Sequence, residues 1–163
     1  MKNRIIITML VALFGMQGTA FAQPLPAKYT IGSYYDKYLG IYVKEPSFME
    51  AEPHPATCNF RDYTYKDVSL SVSVLPGGPV TRFFDSFPNG VNMTKINNNA
   101  YVFSGYISNH GKATDTYYYT KIQNVRGLCY KYELRCNRSR VKYIGNLKKL
   151  VYYYNPFKNI AVR

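Results

Sequence analysis

Between Val68 and Val74 the chain reads Val-Ser-Leu-Ser-Val-Ser-Val, with apolar side chains at 68, 70, 72 and 74 and serines between them. A period of two is the geometry of a β-strand, whose side chains point alternately to the two faces of a sheet. One face is therefore buried, and the other carries small hydroxyls that tolerate water. Pro76-Gly77-Gly78-Pro79 stops the run.

The rest of the chain is read against that strand. The stretch 34–43 is aromatic and β-branched enough for a first strand over Leu39–Lys44, with a short helix at 33–39 as its competitor. Residues 45–57 hold Pro46, Pro53 and Pro55 and read as a long loop, followed by a strand from Cys58 to Tyr65. Val91–Ile96 and Tyr101–Ile107 form a strand pair around Asn97-Asn98-Asn99, where asparagine accommodates left-handed backbone. Asn109–Lys112 is the next turn, and Asp115–Ile122 and Leu128–Leu134 are strands joined through Arg126-Gly127.

Helical signals are fewer. Val80–Phe87 places Phe83, Phe84 and Phe87 on one side of a short helix, where they seal a sheet face or, less simply, line a groove. Val141–Ile144 reads as extended. Asn146 is placed to cap a helix with Leu147, Leu150, Val151 and Tyr154 on one face, although 150–154 fits a strand equally well. These elements predict a single small α+β or mainly β domain, built on an antiparallel sheet of about six strands with one or two short helices.

The N-terminus belongs to a different category. Lys2 and Arg4 precede the apolar run Ile5–Phe14, and Ala20-Phe21-Ala22 supplies small residues for a signal peptidase. Residues 1–22 read as a cleaved secretory signal of bacterial type, too short to be a stable membrane anchor, ahead of one secreted domain over 23–163 with a loose leader at 23–30. The expected address is periplasmic or secreted, and no later stretch is apolar enough to span a membrane.

Charge is distributed unevenly. Of 21 Lys and Arg, two, Lys2 and Arg4, lie in residues 1–22. Residues 23–115 hold eight basic and eight acidic groups, whereas residues 116–163 hold eleven basic groups against Glu133 alone. That excess points to an anionic partner or surface, or to solubility alone. Arg135, Arg138, Arg140 and Lys142 fall within eight residues, and their even spacing from 138 to 142 places the last three on one face if the segment is a strand. With Tyr143, Lys148 and Lys149 they form the candidate binding set. In the cytosol such a mixture suggests nucleic acid, but the leader redirects it towards an envelope component or an acidic protein.

Three cysteines in an oxidising compartment predict one disulfide. Cys129 and Cys136 are the candidate pair if their segment turns, since in a straight strand they point to opposite faces; Cys58 is the other possible partner. No metal site and no cofactor are expected. His54 with Cys58 lacks a helix to align the two, because Pro53 and Pro55 interrupt it. No Gly-x-Ser-x-Gly elbow or phosphate-cradling glycine loop occurs. The reading is thus a non-catalytic binding or accessory protein, with no catalytic residue assigned. The alternatives are an exported effector or enzyme inhibitor, and a small hydrolase built on His54 and His110. The Asn92 and Asn137 sequons are glycosylation acceptors only in a host that modifies them, which the bacterial type of the signal argues against.

Overall fold

The structure, a computed structural model, describes residues 24–88 and 90–158. The signal-peptide assignment falls outside the described residues. The elements are β1 (Ile31–Asp36), β2 (Ile41–Pro46), β3 (Glu50–Ala51), β4 (Phe60–Tyr65), β5 (Val68–Leu75), a short 3-10 helix (Val80–Ser86), β6 (Asn92–Asn97), β7 (Ala100–Asn109), β8 (Lys112–Val125), β9 (Leu128–Asn137), a 3-10 turn (Arg138–Arg140) and helix α1 (Gly145–Tyr153).

Seven strands form one sheet in the order β3-β4-β5-β9-β8-β7-β6, and β1 and β2 form a separate hairpin. Every pairing is antiparallel. The serine-alternating segment is β5, next to the central strand β9. The expected fold class holds, with more strands than foreseen. The additional strands come from the 31–46 stretch, which is two strands around a turn, and from Glu50–Ala51 inside the proline-rich loop. Tight turns close the long hairpins: His110 and Gly111 take φ of 49° and 77°, Arg126 and Gly127 take 56° and 85°. These left-handed pairs match the twist of the flanking strands. The asparagine turn works differently, through Asn97 Oδ1 accepting from the Asn99 N–H at 2.8 Å.

The two faces of the sheet are covered unequally. On one, the β1–β2 hairpin and α1 pack over Leu70, Val72, Tyr132 and Leu134. Residues 24–30 form no regular element, yet Leu25 and Tyr29 pack against this same cluster. On the other face, the Val80–Ser86 helix and Phe87 cover only the β7–β8 half: Phe87 stacks on Phe103 at 4.0 Å and Phe84 meets Tyr101 edge-on at 5.0 Å. Phe84 and Phe87 cover a sheet face, while Phe83 and Phe87 also border a groove, so both roles their spacing allowed are present.

Buried phenols need partners, and on the first face Tyr132 and Tyr154 find backbone carbonyls. Tyr132 donates to the Lys44 carbonyl at 2.8 Å and Tyr154 to the Tyr42 carbonyl at 3.0 Å. Lys121, only 7 % exposed, donates to the carbonyls of Tyr152 and Tyr154, both at 2.8 Å. These are orphan acceptors at the C-terminal end of α1, so the ammonium both caps the helix and ties it to β8. Helix therefore wins over strand for 150–154, because the Leu147, Leu150 and Val151 stripe is buried. Asn146 is not its cap; that position belongs to Ile144.

The disulfide expectation is overturned: all three cysteines are free. β9 runs without a turn from 128 to 137, so Cys129 and Cys136, seven apart, lie on opposite faces. Cys129 is in the aromatic cluster beneath the 3-10 helix, and Cys136 is in the cluster beneath α1.

A candidate binding surface around helix α1

The basic C-terminal residues do not form a strand face. β9 ends at Asn137, whose side chain accepts from the Ser139 N–H at 3.0 Å and starts a 3-10 turn in place of further strand. Val141–Ile144, expected to be extended, continues as turns. The even spacing of Arg138, Arg140 and Lys142 consequently has no structural meaning. Arg138 and Lys142 are exposed, whereas Arg140 is 5 % exposed and its Nε donates to Asp67 Oδ1 at 2.8 Å. Arg140 holds the turn onto the β4–β5 connection.

Arg135 is also separated from the rest. It sits on the half-open face of the sheet, where its Nε and Nη2 both reach Glu133 Oε1 at 2.8 Å. Lys148 and Lys149 are on α1, and Tyr143 is exposed just before it. The structure therefore sets Arg138 and Lys148 on adjoining rings, leaves Lys142, Tyr143 and Lys149 along the same turn and helix, and separates Arg135 and Arg140 from them.

Strand parity supplies what the sequence reading missed. Tyr117 and Tyr119 of β8 point to the α1 face, and Tyr106 of β7 lies opposite Tyr117 in register, edge-on at 5.5 Å. Cations rest on this tyrosine shelf. The Arg138 guanidinium is 4.3 Å from the Tyr106 centroid, and Lys148 Nζ is 4.6 Å and 5.7 Å from Tyr117 and Tyr119. Ring quadrupoles attract cations at such distances. Burial, with Tyr117 and Tyr152 alongside, raises the Tyr119 phenol above its usual range, so it stays neutral. Asp115, at 3.7 Å from Arg138, is the one carboxylate paired with these exposed cations among the described residues.

On the other flank, the segment 27–31 and α1 enclose a hollow of about 510 Å³, whose lining includes Lys28, Tyr29, Asn146, Lys149 and Tyr153 and holds no acidic residue. Tyr153 is 73 % exposed. Lys28, Tyr29, Asn146 and Tyr153 were not in the candidate set; only the helical spacing of 146, 149 and 153 hinted at a shared edge.

The histidines do not assemble a site. His54 lies beside Asp62 of β4 at 3.3 Å, and His110 is in the β7–β8 turn, with β5 and β9 between the two hairpins. No group of His, Cys, Asp and Glu among the described residues has the arrangement of metal ligands. Burial raises the thiol of Cys129, and pushes that of Cys136 to about 11, which leaves both poor nucleophiles.

The fold as a whole has counterparts among solved structures. Among the chains of similar fold is the solution structure of the cyanobacterial PsbP protein, CyanoP, from Synechocystis sp. PCC 6803. It superposes with a TM-score of 0.55 at 13 % identity, over 80 % of this chain and 95 % of that one. At that identity the likeness is one of fold. No protein-family description matches the sequence, and no curated protein matches it.

Proposed function

We propose that the chain is a non-catalytic binding or accessory protein of the periplasm or the secreted fraction, which docks onto an anionic envelope component or acidic protein. The docking surface is the one around α1: Arg138, Lys142, Tyr143, Lys148 and Lys149, extended by Lys28 and Tyr153. The observation that carries this reading is the cationic shelf, in which Arg138 and Lys148 lie over Tyr106, Tyr117 and Tyr119. A cation held over a ring gives up little side-chain freedom on binding, so such a surface is prepared for anions before they arrive. Tyrosine contributes apolar area and a hydroxyl in the same contact, which suits a protein or glycan interface.

The test is co-sedimentation of the purified mature protein with fractionated bacterial envelopes at low and high salt. A Lys142→Glu/Lys148→Glu/Lys149→Glu variant is run alongside. Salt-sensitive binding that the variant loses supports the reading. Binding that persists in the variant, or that ignores salt, removes it.

A further inference from the structure

The face of the sheet opposite α1 contains a second groove that the proposed docking surface does not use. It has a volume of about 540 Å³ and lies between the end of the 3-10 helix and the central strands. One wall is apolar, with Phe83, Phe87 and Ile107; the floor at the other side is the β9 row Lys131, Glu133 and Arg135. A volume of this size suits a small organic ligand.

The charges in the groove are arranged asymmetrically. Glu133 is 8 % exposed and already supplied: Oε2 accepts from Thr120 Oγ1 at 2.8 Å, and Oε1 from Arg135 at 2.8 Å, with Lys131 Nζ at 3.5 Å. The carboxylate is therefore a brace that orients two cations and has little capacity to take a third. Two positive groups against one negative leave a net positive end, and no other acidic side chain lines the groove. The side chains of Lys131 and Arg135 keep 27 % and 48 % of their surface exposed, so donors remain to be used.

We infer that this groove binds a small amphiphilic carboxylate, whose head meets Lys131 and Arg135 and whose apolar body lies against Phe83, Phe87 and Ile107. Charge complementarity selects the head, since a charge-assisted hydrogen bond is roughly twice as strong as a neutral one. The apolar wall selects the body, so neither part binds well alone.

The experiment is calorimetric titration of the purified mature protein with decanoate, with decanol as the uncharged analogue and acetate as the head alone. Decanoate is expected to saturate one site per chain and to bind at least about tenfold more tightly than decanol, with acetate giving no measurable heat. Lys131→Gln, which removes a cation without touching the Thr120–Glu133–Arg135 bonds, is expected to weaken decanoate by about tenfold. Ile107→Asp, on the apolar wall, is expected to abolish binding while the melting temperature shows whether the domain still folds. The Lys142/Lys148/Lys149 reversal leaves decanoate binding unchanged, which separates this groove from the α1 surface. Equal affinity for decanoate and decanol, absence of saturable decanoate binding, or full affinity in Lys131→Gln overturns the inference.

Discussion

The two faces of β9 make opposite use of the same strand. Its even-numbered residues, Tyr130, Tyr132, Leu134 and Cys136, are sealed beneath α1 and the β1–β2 hairpin. Its odd-numbered residues Lys131, Glu133 and Arg135 lie on a floor bordered by the β5 serines, with Cys129 alone under the aromatic cap. The first face derives its order from apolar burial, with Tyr132 and Tyr154 tied to carbonyls and Tyr63 to the Tyr34 hydroxyl. The second has a partial cover and a charged row held by one carboxylate. Stability is therefore concentrated on the α1 side, and the α1 surface is a rigid platform for cations because of what lies beneath it.

The largest effect that sharpens this contrast is Leu134→Ala. Leu134 is fully buried, and its truncation is expected to cost about 2–5 kcal/mol by chemical denaturation. The neighbouring Lys131→Gln on the other face is expected to cost no more than about 0.5 kcal/mol. Equal losses would dissolve the distinction between the faces.

Next in size is Arg140→Ala, expected to cost about 2 kcal/mol, because it removes a buried stem and the Asp67 pair. Envelope binding is expected to persist in this variant, which separates Arg140 from its exposed neighbours.

A smaller effect follows from the ammonium beneath α1. Burial lowers Lys121 from its usual 10.5 to about 8, and Lys44 is lowered for the same reason. Above pH 8 the unfolded chain holds protons that the folded chain has released, so raising the pH favours folding. The buried thiols oppose this from about pH 9, the usual value for cysteine, and the buried phenols Tyr63, Tyr132 and Tyr154 from about pH 10, because their folded values are raised. Thermal melts are expected to show stability rising between pH 8 and 9 and falling above 10, with the rise reduced in Lys121→Met. A flat profile in the native chain would contradict the assignment.

The smallest effect is a null one. With three free thiols, a reducing agent is expected to leave the melting temperature unchanged, and alkylation in denaturant to add three groups by intact mass. A mass two hydrogens lighter before reduction would restore a disulfide.

Much of the framework was legible because burial imposes periods on sequence. The alternation at 68–74 declares β5, whereas the 147, 150, 151 stripe offered α1 only as one of two equal readings, since 150–154 fits a strand as well. The 31–46 hairpin was obscured because its tyrosines serve both sides: Tyr34 reaches the Tyr63 hydroxyl at 2.7 Å, while Tyr35 is 57 % exposed. The basic segment was misplaced for a local reason, the Asn137 side chain that ends β9 one residue before Arg138. Spacing carries information only inside a regular element, and it lost its meaning there. The tyrosine shelf was accessible through the parity of 117 and 119, but its partner Tyr106 depends on strand register, which no local pattern specifies. The free cysteines illustrate the reverse: parity alone already kept 129 and 136 apart.

The most direct test of the central claim is envelope co-sedimentation with three proteins side by side: the native chain, the Lys142→Glu/Lys148→Glu/Lys149→Glu variant and Arg140→Ala. The account predicts salt-sensitive binding by the native chain, its loss in the triple variant, and its retention in Arg140→Ala at a temperature where that variant remains folded. Binding that survives the triple reversal but fails in folded Arg140→Ala would contradict the assignment of the surface around α1.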